Sequence, residues 1–313
     1  MAVLVSGSVA VDHIMVFQGR FKDVILPDRV HALNVAFHVP ALRRTFGGCA
    51  ANIAYNLRLL GEDPVVVATV GGADFDDYAA WLDRCGVRRD FIRPLPGEST
   101  AGAYITTDLD DNQIVGFHPG AMDRAHEVRI EDVTVPYEIG IVSPNGRRAM
   151  VEHARALKAR GVPTVVDPGQ GLPILSREEL VEMIEGADLY VVNDYEWSLT
   201  VERSGLTGDA IASRARTVIV TRGAEGSLLR RRDDVVEIPA VAAERVVDPT
   251  GAGDAYRAGL LYGMARGLPL ETAARIGSLM GALQVAHPGT QALTFDGAEF
   301  PALYERAFGA PLG

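Results

Sequence analysis

The chain has few cysteines, few aromatic residues and no long apolar run. Its two cysteines, Cys49 and Cys85, have neither metal-binding nor redox spacing, so we expect free thiols in a reducing compartment. No apolar run approaches the roughly 18 residues that a membrane-spanning helix needs. Residues 1–10 lack the basic region of a signal peptide. These absences predict a soluble, cytoplasmic protein with no membrane partner.

Positive charge is also in short supply. The 313 residues include 30 lysines and arginines against 41 aspartates and glutamates, which gives a formal net charge of −11. Such a balance argues against nucleic acid or an anionic membrane as the main partner. The apolar fraction of 48% and the charged fraction of 23% are typical of a globular protein. We therefore expect a small-molecule ligand.

Residues 248–254, Asp-Pro-Thr-Gly-Ala-Gly-Asp, follow an apolar run and precede a helical pattern. Gly251 and Gly253 let the backbone approach a ligand closely, and the start of a helix offers N–H groups and a positive dipole end to an anion. A carboxylate at Asp254 would repel a bound phosphate. It fits better as the base that deprotonates a hydroxyl attacking that phosphate. The alternative is an ordinary Gly-rich loop before a helix with an N-terminal Asp.

Residues 248–255 resemble the C-terminal signature of the ribokinase-like, or PfkB, family of carbohydrate and nucleoside kinases. The resemblance implies that Asp254 is the catalytic base. It also implies that Gly251, Ala252 and Gly253 form the anion hole for the transferred phosphoryl group.

Two N-terminal segments match the same family in order. Asp12 lies just past the first strand-like run, where open α/β sheets bind ligands, and the resemblance implies that it binds substrate hydroxyls. Gly47 and Gly48 precede a helical pattern that contains Asn52. The resemblance implies that the glycines admit a ribose and that Asn52 binds its hydroxyls, whereas the glycines alone could equally mean tight packing. Residues 49–51, Cys-Ala-Ala, differ from the ribokinase pattern Lys-Gly-Ala and disfavour free ribose.

Insertions at about 13–46 and 99–120 are rich in strand-like runs and predict a small β-sheet lid that excludes water from the site. Phe117 and Met122 follow the second insertion's strands. In the adenosine (nucleoside) kinase branch, which this chain resembles most, a similar segment closes on the substrate. A Phe–Met pair suits the faces of a purine. The alternative is a loop without function.

From residue 139 onward, strands alternate with helices, which predicts a doubly wound, mostly parallel sheet with helices on both faces. With the lid insertions this gives one ribokinase-like α/β domain over residues 1–313. Asn193 and Glu196 follow one of these strands. The resemblance implies that they bind Mg²⁺, partly through water, although the same spacing is typical of a helix N-cap.

Four further positions match family segments that contact the nucleotide or a cation. Thr221, Gly223 and Gly226 end another strand, and the resemblance implies that they meet the phosphates of ATP; a plain hairpin turn is the alternative. Asp248 matches the ligand of a monovalent cation such as K⁺ in some relatives, and it could equally cap the turn before Pro249.

Together the segments predict an ATP- and Mg²⁺-dependent kinase that phosphorylates the ribose 5′-hydroxyl of a nucleoside, adenosine-like and of broad specificity. The alternative is a sugar or sugar-phosphate kinase of the ribokinase, fructokinase or 6-phosphofructokinase type. A sugar phosphate would need a cationic clamp, for which Arg43, Arg44 and Arg124 are candidates. A second alternative is a non-catalytic ligand-binding protein on the same fold. A monomer and a homodimer through the lid both fit the sequence.

Overall fold

The computed structural model describes residues 2–110, 112–232 and 234–312. Residues 1, 111, 233 and 313, which fall within the predicted domain, lie outside the described residues.

The strands and helices alternate along most of the chain. The strands are β1 (Ala2–Ser6), β2 (Ala10–Val16), β3 (Leu42–Gly47), β4 (Asp63–Gly71), β5 (Ile92–Leu95), β6 (Ala101–Thr107), β7 (Gln113–His118), β8 (Ile139–Val142), β9 (Thr164–Val166), β10 (Leu189–Asn193), β11 (Val218–Thr221), β12 (Ser227–Arg231) and β13 (Asp234–Ile238). The helices are α1 (Phe21–Val24), α2 (Cys49–Leu59), α3 (Asp76–Arg84), α4 (Arg147–Ala159), α5 (Arg177–Gly186), α6 (Asp194–Ser204), α7 (Gly208–Arg214), α8 (Ala252–Ala265), α9 (Leu270–Gln284) and α10 (Phe300–Phe308).

A nine-stranded sheet forms the centre, in the order β13-β12-β11-β10-β9-β8-β1-β4-β5. The strands from β11 to β5 pair in parallel, and β12 and β13 add an antiparallel edge. The prediction of a doubly wound, mostly parallel sheet is confirmed. Within the described residues, no helix is both long and apolar enough to span a bilayer.

Strand β1 shows why both faces of this sheet carry helices. Val3 and Val5 pack into the apolar cluster that includes residues of α2, α8 and α9, while Leu4 packs into the cluster that includes residues of α4 and α5. All three side chains are fully buried. Burying each contributes roughly 1.5–3 kcal/mol. Because both faces are covered, the strand is apolar without alternation.

A four-stranded sheet in the order β3-β2-β6-β7 forms the predicted lid. Strand β2 begins at Ala10, three residues before the predicted start of the insertion. The sequence hid this boundary because Ala10 and Val11 are buried like core residues. The predicted insertion also contains the short helix α1 and a 3₁₀ turn at Pro27–Ala32. Strand β7 forms an edge with exposed side chains. The choice between a monomer and a homodimer through the lid, which the sequence left open, stays open.

The strand order places a ligand crevice beside β1. From β1 the chain passes through the lid to β4 on one side, whereas β8 to β11 extend the sheet on the other side. Ligands of open α/β sheets bind at such a switch point, outside the carboxyl ends of the strands. Helices α2 and α8 both begin at this edge, near the residues that follow β1.

Candidate active site

Helix α8 begins at the Gly-rich turn that the sequence singled out. Gly251 is its N-cap, in the left-handed conformation at φ 78°, and a Cβ there would lie 3.1 Å from Thr290. The first bond of the regular helix runs from the Ala255 N–H to the Gly251 carbonyl, 2.9 Å away. The N–H groups of Gly253 and Asp254 precede that bond and are therefore oriented to receive an anion.

The Asp254 carboxylate lies in the first turn of α8 and contacts α2. Asn52 Nδ2 donates a hydrogen bond to Asp254 Oδ2 across 2.8 Å. Burial raises the pKa of Asp254 to about 6, although the hydrogen bond from Asn52 opposes this shift. A carboxyl with this pKa is mostly ionised at neutral pH and is also basic enough to accept a proton, which suits a general base.

Gly47 and Gly48 each allow a different close contact. A Cβ on Gly47 would lie 2.8 Å from Asp12 Oδ2, so this glycine gives room to the Asp12 carboxylate. Gly48 has φ 91°, and a Cβ there would lie 2.6 Å from backbone atoms of Ser8 and Ala10. Gly48 therefore has a packing reason, the alternative that the sequence left open. Burial raises the pKa of Asp12.

One face of the lid carries Asp12 and Phe117. Asp12 on β2 pairs with Ala103 on β6, which pairs with Phe117 on β7, and directly paired residues share a face. The Phe117 side chain is 52% exposed, so its ring is free to take a ligand. Met122 is 9% exposed and packs with Ala10 and Ala101. The contact of Met122 with a substrate stays a prediction.

The opposite face of the lid carries His13, Arg44 and Tyr104. The His13 and Tyr104 rings stack with centroids 4.6 Å apart, and Arg44 Nη1 lies 3.4 Å from Asp77 Oδ2. A cavity of about 490 Å³ lies on this face, and neither Asp12 nor Asp254 is among its lining residues. This cavity is therefore separate from the proposed acceptor position.

The three arginines proposed as a phosphate clamp do not converge. Arg124 is paired with Glu127 at 2.7 Å and Glu98 at 3.3 Å. Arg44 lies on the face of the lid opposite Asp12. Of the three, Arg43 shares the Asp12 side of the lid, because it pairs with Ile14. The predicted clamp of three arginines is therefore not formed in this structure, and this geometry disfavours the sugar-phosphate alternative.

A buried ion pair lies behind the first turn of α8. Arg257 Nε and Asp167 Oδ2 are 2.9 Å apart, and both side chains are 6% exposed. Arg257 Nη1 also donates to the Gly253 carbonyl at 3.5 Å. Asp167 directly follows β9, at the carboxyl edge of the sheet. The pair therefore joins this edge to the helix turn that carries the candidate base.

The residues implied for Mg²⁺ form a capping box. Asn193 Oδ1 accepts from the Glu196 N–H at 2.7 Å, and Glu196 Oε2 accepts from the Asn193 N–H at 2.8 Å. The second oxygen of Glu196 is the candidate ligand for a hydrated cation. Burial and the charge of Asp167 raise the pKa of Glu196, and a nearby divalent cation would relieve that excess negative charge. Glu196 thus fits Mg²⁺ held partly through water. No group of three or more His, Cys, Asp or Glu side chains suited to a metal occurs among the described residues.

The segment that the sequence predicts to contact the nucleotide begins beside the strand that ends at Asn193. Asn193 and Thr221 are paired in the parallel register of β10 and β11. A Cβ on Gly226 would lie 2.1 Å from the Ile238 carbonyl, so the turn itself requires this glycine. Gly223, at φ 56°, has open space above it, as a backbone approached by phosphate would need.

Asp248 holds the loop before α8 in place. Its Oδ1 accepts from the Thr250 N–H and its Oδ2 from the Gly289 N–H, each at 2.9 Å. Burial raises the pKa of Asp248, but these hydrogen bonds outweigh it and lower the pKa overall. The turn-capping role that the sequence left open is therefore present. The role of Asp248 toward a monovalent cation stays a prediction.

The Cys49 thiol lies close to Asp254. Burial, with the charges of Asp254 and Asp167, raises the pKa of Cys49 well above its ordinary value. The side chain is therefore a neutral thiol, as expected for a packing residue and not for a nucleophile.

The sequence analysis missed Asp167, Arg257 and Gln291. Asp167 has the same signal as Asp12, a carboxylate just past a strand, and could have been found. Arg257 is a charged residue at a buried helix position, which is detectable only when the buried face is known. Gln291, whose Nε2 donates to Asn52 Oδ1 at 2.9 Å, lies in a loop after α9 and carries no sequence signal.

Breaking the Arg257–Asp167 pair should destabilise the fold, since removing one partner leaves the other charge buried. We expect Asp167→Asn and Arg257→Met each to lower the free energy of unfolding by about 3–5 kcal/mol. The double variant should cost less than the sum, because no uncompensated charge remains. Urea denaturation measures all three, and strictly additive losses would contradict the account of this pair.

The sequence and the fold are similar to those of one known enzyme family. The model of the pfkB family of carbohydrate kinases matches residues 7–295. A nucleoside kinase of Methanocaldococcus jannaschii is 33% identical over 82% of this chain and 85% of its own length. The structure of a Burkholderia thailandensis nucleoside kinase in complex with inosine is 47% identical, covers 99% of both chains and superposes with a TM-score of 0.89.

A second structure of the Burkholderia thailandensis enzyme, in complex with ADP-inosine, is 48% identical with a TM-score of 0.87, and the match covers 99% of this chain and 97% of that one. The likeness therefore extends over the whole fold, lid included. The chain belongs to the pfkB family of carbohydrate kinases, in its ribokinase-like nucleoside kinase branch.

Proposed function

We propose that this chain is an ATP-dependent kinase that phosphorylates the ribose 5′-hydroxyl of a purine nucleoside. The observation that carries the proposal is the position of Asp254, a carboxylate of raised pKa in the first turn of a helix whose N–H groups are oriented toward an anion. A non-catalytic ligand-binding protein would have no use for a carboxylate beside an anion site, because it would repel the ligand.

In the proposed reaction, Asp254 takes the proton of the 5′-hydroxyl as the hydroxyl oxygen attacks the γ-phosphorus of ATP. The bond from this phosphorus to the β,γ-bridging oxygen breaks, and ADP leaves. The N–H groups at the start of α8 stabilise the charge on the transferring phosphoryl group, with Gly251 supplying the turn that aims them. Asp12 accepts a hydrogen bond from a ribose hydroxyl. The lid closes over the acceptor and excludes water, which would otherwise compete as a phosphoryl acceptor.

On the donor side, Thr221 and Gly223 would flank the phosphates, and Glu196 would hold Mg²⁺ through its water shell. Mg²⁺, when bound with the nucleotide, neutralises charge on the β and γ phosphates. Asn193 acts by fixing the Glu196 carboxylate through the capping box. Asp248 remains the proposed position for K⁺. In addition, its hydrogen bonds hold the loop before α8 in place.

The nucleoside acceptor is supported by the exposed ring of Phe117 on the Asp12 face of the lid. A purine stacked on this ring would lie beyond the ribose that Asp12 binds. The Burkholderia thailandensis enzyme has been solved in complex with inosine and with ADP-inosine. Inosine is a purine nucleoside, which supports the same acceptor class here.

Asp254→Asn tests the catalytic role. We expect this variant to lose about 10²–10⁴-fold in kcat, because an amide cannot accept the hydroxyl proton. Nucleoside affinity, measured by calorimetry, should stay close to that of the wild type since the shape of the site is kept. Unchanged turnover would remove Asp254 from the mechanism, and lost binding would reduce it to a structural residue.

A substrate panel with a matched pair of lid variants tests the acceptor. Adenosine, inosine, guanosine, cytidine, ribose, fructose and fructose 6-phosphate are compared with MgATP as donor. We expect turnover of purine nucleosides and little of the sugars. Phe117→Leu should raise the KM for nucleosides roughly threefold to tenfold through lost stacking. Tyr104→Leu, which removes a half-exposed ring from the other face of the lid, is the control and should leave this KM unchanged.

Strong turnover of a sugar with little turnover of nucleosides would contradict the nucleoside as acceptor but would leave the kinase activity in place. Equal effects of Phe117→Leu and Tyr104→Leu on the KM would show that the Asp12 face of the lid does not bind the purine of the nucleoside.

A further inference from the structure

Gln291 lies at the centre of a buried hydrogen-bond network behind the candidate base. Its side chain is 8% exposed, and the loop that carries it follows α9. Gln291 Oε1 accepts from Trp81 Nε1 at 2.7 Å. Gln291 Nε2 lies 2.9 Å from Asn52 Oδ1 and 2.7 Å from the Tyr78 hydroxyl. The network therefore links α3, this loop and α2 directly to the residue that contacts Asp254.

The polarity of the network is determined by its two ends. The Trp81 indole N–H is a donor only, so it must face an oxygen, and this fixes the orientation of the Gln291 amide. The Tyr78 hydroxyl donates its single proton to the Gly47 carbonyl at 2.7 Å, so its oxygen accepts from Gln291. Both neighbours thus require the Gln291 NH₂ group to point toward Asn52 and Tyr78.

The orientation of the Gln291 amide determines that of the Asn52 amide. Since Asn52 Oδ1 accepts from Gln291, its Nδ2 is turned toward Asp254, where it donates at 2.8 Å. Asn52 is 4% exposed and has little freedom to find another partner. If the amide were reversed, its oxygen would face the Asp254 carboxylate and repel it.

We propose that Gln291 is a positioning residue for phosphoryl transfer, because it selects the orientation of the Asn52 amide that holds Asp254 Oδ2. The other carboxylate oxygen, Oδ1, is then the one that takes the hydroxyl proton. Gln291 acts through Asn52 and does not itself touch the reacting atoms. The inference rests on the proposed role of Asp254 as base.

The network has a measurable consequence for the ionisation of Asp254. The groups that face this carboxylate are Asn52 and Cys49 from α2, Arg257 from α8 and Asp167 from the segment after β9. Replacing Gln291 leaves the latter three in place and removes the constraint on Asn52. Because the Asn52 hydrogen bond favours the ionised form, its loss should raise the pKa of Asp254.

The test is the pH dependence of kcat/KM for the nucleoside in Gln291→Met, which lacks both the oxygen and the nitrogen of the side-chain amide. We expect its acid limb to move up by about 0.5–1 pH unit, so that kcat/KM at pH 6 falls roughly twofold to fivefold more than at pH 8. Gln291→Glu keeps the size of the side chain and an acceptor for Trp81 but replaces the donor, and it should shift the limb in the same direction. It also provides the measurement if Gln291→Met does not fold.

Tyr55→Phe is the matched control. The Tyr55 hydroxyl donates to the Leu293 carbonyl at 2.7 Å, so it also ties α2 to the loop after α9, but it does not orient Asn52. We expect this variant to lose a similar amount of stability and to keep the wild-type acid limb. An unchanged limb in a folded Gln291 variant would overturn the proposal, as would an equal shift in Tyr55→Phe.

A second readout separates this inference from the proposed function. In wild-type protein the Asn52 side-chain amide signals in ¹H–¹⁵N NMR, assigned with Asn52→Ala, should titrate with Asp254. In Gln291→Met this titration should be weakened or lost. Suppose that the wild type phosphorylates no nucleoside, while its Asn52 amide still titrates with Asp254 and Gln291→Met loses this titration. In that case the proposed function fails and the positioning by Gln291 stands. If the amide titrates identically in both proteins, the positioning fails whatever the activity.

Discussion

The hydrogen bond from Asn52 to Asp254 is the interaction on which the site depends. It joins two helices, α2 and α8, whose starting residues are separated by most of the chain, and it does so at the carboxyl edge of the sheet. The parallel order of the strands makes this meeting possible, because it places both helix starts beside β1. Without that contact, a carboxylate in the first turn of α8 would have no defined orientation toward a hydroxyl.

Three carboxylates and a buried arginine lie around this contact. Asp167, Glu196 and Asp254 lie close enough to influence one another, and Arg257 is the buried cation that faces them. Arg257 is committed to Asp167, so the negative charge of Glu196 and Asp254 is left to be matched by protons, Mg²⁺ or substrate. This balance supports the proposed proton transfer to Asp254 and the proposed hydrated cation at Glu196.

Local patterns predicted much of the fold and part of the site. The continuous apolar runs of the buried strands and their alternation with helices identified the parallel sheet, and the Gly-rich turn located the start of α8. The apolar pattern could not place the start of the lid at Ala10. The first residues of β2 are buried, so they are as apolar as residues of the central sheet. The pattern could not find Gln291 either, since an amide acquires its role only from partners on α2 and α3. Long-range hydrogen bonds of this kind have no period and no spacing to detect.

The most direct test of the account is the pH dependence of kcat/KM for a purine nucleoside in the wild-type enzyme at saturating MgATP. The base must be ionised to accept the hydroxyl proton, and burial raises the pKa of Asp254 to about 6. Activity should therefore be constant above neutral pH and fall as the pH is lowered through 6. An acid limb near 4, the ordinary range of an aspartate, or a rate that is flat down to pH 5 would contradict the central claim that a half-buried Asp254 is the base.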